Sequence, residues 1–431
     1  MFLSAVVAGA WLASVIFGMQ SPAPAAATAS TQPGDPSAPI DAADAARRRG
    51  DLDDADRLYR LAWSDPQTRQ RAAGALRGLE HAGRTPPIDE HAVANTARLL
   101  GAGFSRATSD HFVLLSDAPR GAVRAKLRIL ERTYDQYFRV MGHLGFAVIP
   151  PESKLICVLF ADHTMYHAFA RTHDNVDAGW VAGYYAGLSN RAVFYEDSSG
   201  PAFSAAQHEL DRARVQLVSL RDAATRARHE RHRRDARALS AQADLLSTHL
   251  ANERSRLRDL ADGTTISKTI HEAVHLLAFN TGAQSRAREY PFWLTEGLAT
   301  SFETRNASAA FGPDRPSDLR REDLARAFAA GATLPIADLV ARAGAPDDNP
   351  AMTEVAYAQA HSLFVFLHRT DRRALAGFFD DLLAEPPGHE TDARRLELFE
   401  RRFGAAARVE HRWRRDAQRT LGVIAATNAP R

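Results

Sequence analysis

Thr269-Ile270-His271-Glu272-Ala273-Val274-His275 is the stretch whose reading decides the fold. It has the pattern His-Glu-x-x-His inside a segment of helical composition. Residues four apart project from one face of a helix, so His271 and His275 can aim two imidazoles at one metal ion. Glu272 sits beside that face, within reach of water at the metal. Two neutral nitrogen ligands next to a carboxylate base form the donor set of a zinc hydrolase. The plainer alternative is a helix whose two histidines hydrogen-bond inside a core.

Catalytic zinc takes three protein ligands and keeps a fourth position for water. A third donor is available in Tyr290-Pro291-Phe292-Trp293-Leu294-Thr295-Glu296-Gly297-Leu298-Ala299-Thr300-Ser301-Phe302-Glu303. Pro291 suits the start of a helix, and Leu294, Leu298 and Phe302 form an apolar stripe at helical spacing. Glu296, Thr300 and Glu303 fall on another face, from which a second helix can bring Glu296 to the metal. An exposed helix glutamate is the alternative, but Trp293-Leu294 and Gly297-Leu298-Ala299 give this helix the composition of a packed one.

His271-Glu272-x-x-His275 followed by Trp293-Leu294-Thr295-Glu296-Gly297-Leu298-Ala299 resembles the gluzincin zinc metallopeptidases, and within them uncharacterised bacterial proteins described as peptidase MA-like. The resemblance runs from about Thr108 to the C-terminal helices. It implies an α+β, thermolysin-like catalytic domain with a small mixed sheet, an active helix and a mainly helical C-terminal lobe. It also implies Zn2+ held by His271, His275 and Glu296, with Glu272 as general base. The C-terminal lobe of such enzymes supplies a Tyr or His to the oxyanion, and Tyr357 is the candidate, with His361 one turn on. Three departures stand out, the first being a gap between His275 and Glu296 slightly longer than in those enzymes. The Gly-x-Met-Glu-Asn segment of gluzincin aminopeptidases is absent, and Thr300 occupies the position where thermolysin-like members carry an Asp that orients a histidine. Thr300 or Glu303 is left to fill that role.

Composition narrows the remaining classes. The formal net charge is +2 over 431 residues, which steers the whole chain toward neither nucleic acid nor anionic membranes. Nearly all the positive charge is arginine; the lysines are Lys126, Lys154 and Lys268. One cysteine, Cys157, lies in an apolar run, so an intrachain disulfide is excluded and a buried strand thiol is expected. Phe2 to Met19 is apolar and uncharged, and Ala-x-Ala patterns follow at 23–27. Residues 1–27 therefore read as a secretory signal peptide or an uncleaved anchor, although no basic residue precedes the apolar run. Export to the periplasm or cell envelope of a bacterium follows, with peripheral or N-terminal membrane association as an open alternative.

The chain divides by pattern. Residues 28–40 are a Pro-, Ala- and Ser-rich flexible linker. Residues 41–105 form a helical extension with one tetratricopeptide-like unit around Gly50 to Ala62, closed by Asp65-Pro66. Residues 106–201 alternate strand and helix signals: strands at His111 to Leu115 and Leu155 to Phe160, a helix from Arg120 to Met141, a short helix from His163 to Arg171, and a hairpin at 179–195. Gly179 to Tyr185 reads either as an edge strand able to bind an extended peptide or as one arm of a hairpin with ordinary core aromatics. Residues 202–262 are a helical hairpin with a leucine seam and an arginine-rich middle, read either as a solvated tip or as a contact for an anionic envelope surface. Residues 263–310 carry the zinc helices, the first starting at Thr264 or Thr265 and stopping near Gly282. Residues 311–431 form the helical lobe, with helices at 321–330, 353–369, 371–384, 391–403 and 405–421.

The expected function is a secreted or envelope zinc metallopeptidase acting on a peptide or protein substrate. The alternative is a zinc-binding envelope scaffold or inactive homologue working through protein contacts. Nucleic acid is not an expected partner.

Overall fold

The computed structural model describes residues 38–177, 183–315, 318–346 and 349–427. The expected leader and most of the linker lie outside them. Helix α1 (Ala38–Arg48) begins three residues before the linker was expected to end, because Ile40, Ala43 and Ala46 already bury one side. It packs with α2 (Leu52–Trp63) and α3 (Arg69–His81) around Tyr59, Ala62, Leu76 and Leu79, and this small core also takes in Ile149 from the main body. The expected helix pair is therefore part of a three-helix unit that docks by one side. Trp63 Nε1 donates to the Ala147 carbonyl at 2.6 Å and Arg60 donates to that of Pro150 at 2.9 Å. Gly282, at φ +85°, leaves room for the Trp63 ring, since a β-carbon there would come within 2.4 Å of it. At the far side His111 stacks on Tyr134 and bridges Glu80 of α3 at 3.0 Å and Glu131 at 2.6 Å. Burial alone would depress the His111 pKa, but Glu131 and Glu80 lift it to about 9.

After α4 (Glu90–Leu99) come five strands: β1 (Ser105–Thr108), β2 (Phe112–Ser116), β3 (Leu155–Phe160), β4 (Gly183–Ala186) and β5 (Arg191–Tyr195). Their spatial order is β1-β2-β3-β5-β4, with parallel pairs at β2/β3 and β3/β5 and antiparallel pairs at both ends. The fold is thus α+β with a small mixed sheet. Leu155, Cys157 and Leu159 face the main core with α5 (Arg120–Leu144), while Val158 and Phe160 meet Tyr166 and Phe169 of α6 (His163–His173) on the other side. Covering both faces is what makes β3 a continuous apolar run. β4 ends the sheet, as expected of the edge strand, over residues 183–186; its expected start at 179–182 lies outside the described residues.

Helix α7 (Pro201–His229) and helix α8 (Arg233–Ala278) form the expected hairpin, closed by a tight turn with Arg231 at φ +62°. Ala206, Leu210 and Leu217 face Ala243, Leu250 and Leu257. The expected start of the metal helix at Thr264 or Thr265 is corrected: α8 runs unbroken for 46 residues through Asp262-Gly263-Thr264-Thr265 to the metal motif. Thr265 turns its hydroxyl to Asp197 instead of capping a helix, and Gly263 lies against the Arg305 side chain, 3.1 Å from where a β-carbon would be. Lys268 donates to Asp197 (2.7 Å) and to the Tyr195 carbonyl (2.9 Å), and Lys126 donates to Thr269 (2.8 Å), so two buried amines tie the C-terminal part of α8 to β5 and α5. Lys154, the third lysine, is half-buried and donates to the Ser109 carbonyl.

The rest is helical, as expected: α9 (Phe292–Ser301), α10 (Arg321–Ala329), α11 (Ile336–Ala341), α12 (Pro350–Thr370), α13 (Arg372–Ala384), α14 (Asp392–Phe403) and α15 (Ala406–Thr427). Only α11 had no counterpart in the sequence reading. Buried Trp293 of α9 joins the lobe together by packing on Phe378 and Phe399. Among the described residues no helix is long and apolar enough to cross a membrane.

Candidate metal centre

The last three turns of α8 are buried on every side: Ile270, Ala273, Val274, Leu277 and Ala278 join the main core. That packing leaves His271 and His275 no freedom to turn away. α9 crosses next to them and is itself wholly buried. Its close approach to α12 depends on Gly297, where a β-carbon would stand 2.7 Å from the Ala360 carbonyl oxygen and 2.8 Å from Phe364 Cβ. The residue before this glycine is Glu296.

His271 Nε2, His275 Nε2 and Glu296 Oε2 converge. The nitrogens are 3.0 Å apart, and Oε2 lies 3.2 Å from the first and 3.6 Å from the second. A tetrahedral ion with bonds of about 2.0–2.2 Å separates its donors by about 3.3–3.6 Å, so the triangle is close to the spacing such an ion needs when seated just off its plane. The site is a buried His271-His275-Glu296 group able to bind a metal. Glu296 Oε2 is enclosed and receives no hydrogen bond, which leaves its lone pairs for a cation. Burial raises the Glu296 pKa, but His275 and His271 outweigh it and bring it to about 2.

The second shell is built around Glu303. Its Oε1 lies 2.8 Å from His271 Nδ1, which fixes the tautomer with Nε2 free to ligate. Buried Arg320 grips the same carboxylate with two bonds, Nε to Oε2 at 2.8 Å and one Nη to Oε1 at 2.6 Å. Burial opposes the charge, yet Arg320 and His271 hold Glu303 at about 2. Of the two residues weighed as orienter, Glu303 takes the role. Thr300 instead donates to the carbonyls of Glu296 and Gly297 in its own helix. Arg320 was not visible beforehand: it sits in a single helical turn at Asp318–Arg320, among dozens of arginines, with no local pattern to single it out.

Glu272 is buried beside His271, and β4 lies directly on it: a β-carbon at Gly183 would be 3.3 Å from Glu272 Cγ. Two buried phenols feel its charge. Tyr357 of α12 is pushed well above its ordinary pKa by burial first and then by Glu296 and Glu272. Its ring meets Phe292 edge-on and the Arg320 guanidinium. Tyr166 of α6 is raised likewise by burial and then by Glu272; in sequence it was one aromatic in a short amphipathic helix. His361 is buried near Glu303 and Thr300, and burial drives its pKa down to about 4. It stands behind Glu303 and Arg320.

The fold and site thus define an α+β protein with an enclosed group of two histidines and one glutamate that could hold a metal ion. A family model described as a protein of unknown function (DUF1570) matches residues 265–388. The matched stretch contains His271, Glu272, His275, Glu296, Glu303, Arg320 and Tyr357. No curated protein and no solved structure matches the chain.

Proposed function

We propose that the chain is a zinc-dependent hydrolase of gluzincin type, with a thermolysin-like catalytic core, acting on peptide bonds outside the cytoplasm. One observation carries the reading: three ligand atoms from two helices converge to tetrahedral spacing with a glutamate adjoining the first histidine. Zinc supports it over harder cations because two of the three donors are imidazole nitrogens. The apolar stretch Phe2 to Met19 with small residues after it supports export.

Zinc held by these ligands would lower the pKa of water toward neutrality and polarise a carbonyl. Glu272 accepts the proton of the attacking water on its carboxylate and returns it to the leaving amine. Glu303, gripped by Arg320, keeps His271 in its ligating tautomer. Tyr357 donates its phenolic hydrogen to the oxyanion that develops on the carbonyl oxygen. β4 offers main-chain groups to an extended peptide.

The test is metal content and unbiased peptide-library cleavage by the purified chain, with and without chelator. One zinc per chain and chelator-sensitive cleavage are expected. Glu272→Gln should keep zinc and lose turnover, and Glu296→Ala should lose zinc. Wild-type cleavage by Glu272→Gln would refute the mechanism. A second reading, a zinc-binding scaffold or inactive homologue, is favoured by the burial of all three ligands, which are at most 2% exposed, since structural zinc sites are closed. Zinc without any cleavage would select it.

A further inference from the structure

The arginine-rich turn between α7 and α8 remains unexplained by the metal site. Arg226, Arg228, Arg231, Arg233, Arg234 and Arg237 are all exposed. Against Glu230 and Asp235 they leave a formal +4 in twelve residues, while the whole chain carries +2; the remainder of the protein is net acidic. Among the described residues none of the six forms an ion pair. The contrast is local: the flanking stretches 201–225 and 238–262 carry three arginines each, against three and four acidic residues. Arg212 and Arg256 on the same hairpin pair with Glu209 and Glu253, and Arg369, Arg394, Arg402 and Arg412 of the C-terminal lobe all hold carboxylates. Arg233 and Arg234 stand in the first turn of α8, where the helix dipole disfavours cations, while Arg226 and Arg228 stand in the last turn of α7, where it favours them.

We propose that this tip is a docking surface for an anionic phospholipid bilayer. The charge is confined to the turn end of a two-helix arm and does not run as a stripe along it, which suits end-on contact with a flat anionic sheet. Each arginine near such a surface contributes independently to partitioning. A single-stranded nucleic acid is the poorer match: between Phe203 and Phe279 the chain has no Phe, Tyr or Trp on which bases could stack. Because α8 is unbroken, the tip and His271 are joined by one rod, with 38 residues spanning roughly 55 Å. Contact at the tip would therefore hold the metal site at a fixed stand-off from the lipid. This surface does not depend on what the metal site does.

The experiment is co-sedimentation of the full chain with vesicles of phosphatidylcholine alone or with about one third phosphatidylglycerol, at physiological salt. The triple variant Arg231→Gln/Arg233→Gln/Arg234→Gln is compared, with circular dichroism to establish that it is folded. The wild type should partition onto the anionic vesicles at least about tenfold better than onto neutral ones, and the variant should lose most of that difference, as should the wild type at 0.5 M salt. Any hydrophobic attachment through the N-terminal segment would be equal on both vesicle types and in both proteins. Equal partitioning of the wild type onto the two vesicle types, or an undiminished preference in a folded variant, would overturn the proposal. So would tighter binding of a short DNA duplex than of anionic vesicles.

Discussion

Glu303 is a buried carboxylate shared between an imidazole and a guanidinium, so removing either partner changes what the other can do. Arg320→Met leaves the acid enclosed with two hydrogen bonds fewer, and breaking a buried pair of this kind costs about 3–5 kcal/mol. Zinc affinity should fall by about 10–100-fold, the usual toll of a lost second-shell contact, as read by chelator competition. Arg320→Lys should recover only part of it, because a lysine cannot make the two-bond fork. Unchanged affinity in both variants would remove Arg320 from any role at the metal. Proton competition gives a second prediction. In the metal-free chain burial disfavours the imidazolium, but Glu296 and Glu303 raise the His271 pKa to about 10. A ligand must shed that proton, so under the proposed zinc ligation the affinity should rise with pH, by about tenfold per unit between pH 6 and 8. A flat profile over that range would show that His271 is already neutral. At this scale the two histidines and Glu296 were legible as one convergent group, because ligand chemistry constrains both residue type and spacing. Arg320 was not, since its partner is fixed by tertiary packing alone.

Helices α9 and α12 touch through a glycine, so the third ligand is positioned by a residue that has no side chain. Gly297→Ala must push the Ala360 carbonyl or Phe364 aside. A loss of about 1–3 kcal/mol is expected, with weaker zinc binding because Glu296 rides on the displaced helix; calorimetric melting with and without zinc would read both. The contact of α3 with the sheet has a pH signature. Because the folded pKa of His111 is raised to about 9 from an ordinary 6.5, its contribution is fully present below pH 6.5 and is lost as pH climbs through 9. Glu80 is held below its usual value, burial opposing and His111 and Arg77 prevailing, so its share fades only in acid. His111→Ala should cost about 2 kcal/mol at pH 6, and the gap to wild type should shrink by pH 9.5 in denaturant titrations. An equal gap at both values would mean that the stacked ring of Tyr134 and not charge carries the contact. Strand β3 and the amphipathic helices were readable from apolar period. The start of the metal helix was misread, because Asp-Gly-Thr-Thr has the chemistry of a stop and cap, and only the neighbours Asp197 and Arg305 show why the helix passes through it.

Across the whole molecule the long hairpin is an appendage with its own seam, and the metal centre draws its support from elsewhere: β4, α5, α9 and α12. Replacing residues 217–250 by a short turn keeps Ala206, Leu210 and Leu257 and should leave zinc stoichiometry intact; loss of metal would show that the arm braces the site. The sheet, the helical lobe and the hairpin followed from periodicity, whereas the seating of the three N-terminal helices on Gly282 and His111 involves contacts too distant in sequence to be read. One further property follows from Lys126 and Lys268 lying sealed between the metal helix and its neighbours. An amine-directed acylating reagent meets a single half-covered lysine, Lys154, on the native chain. The two hidden amines become reactive only when that helix parts from the sheet, so their acylation times the opening of the structure as a chemical clock.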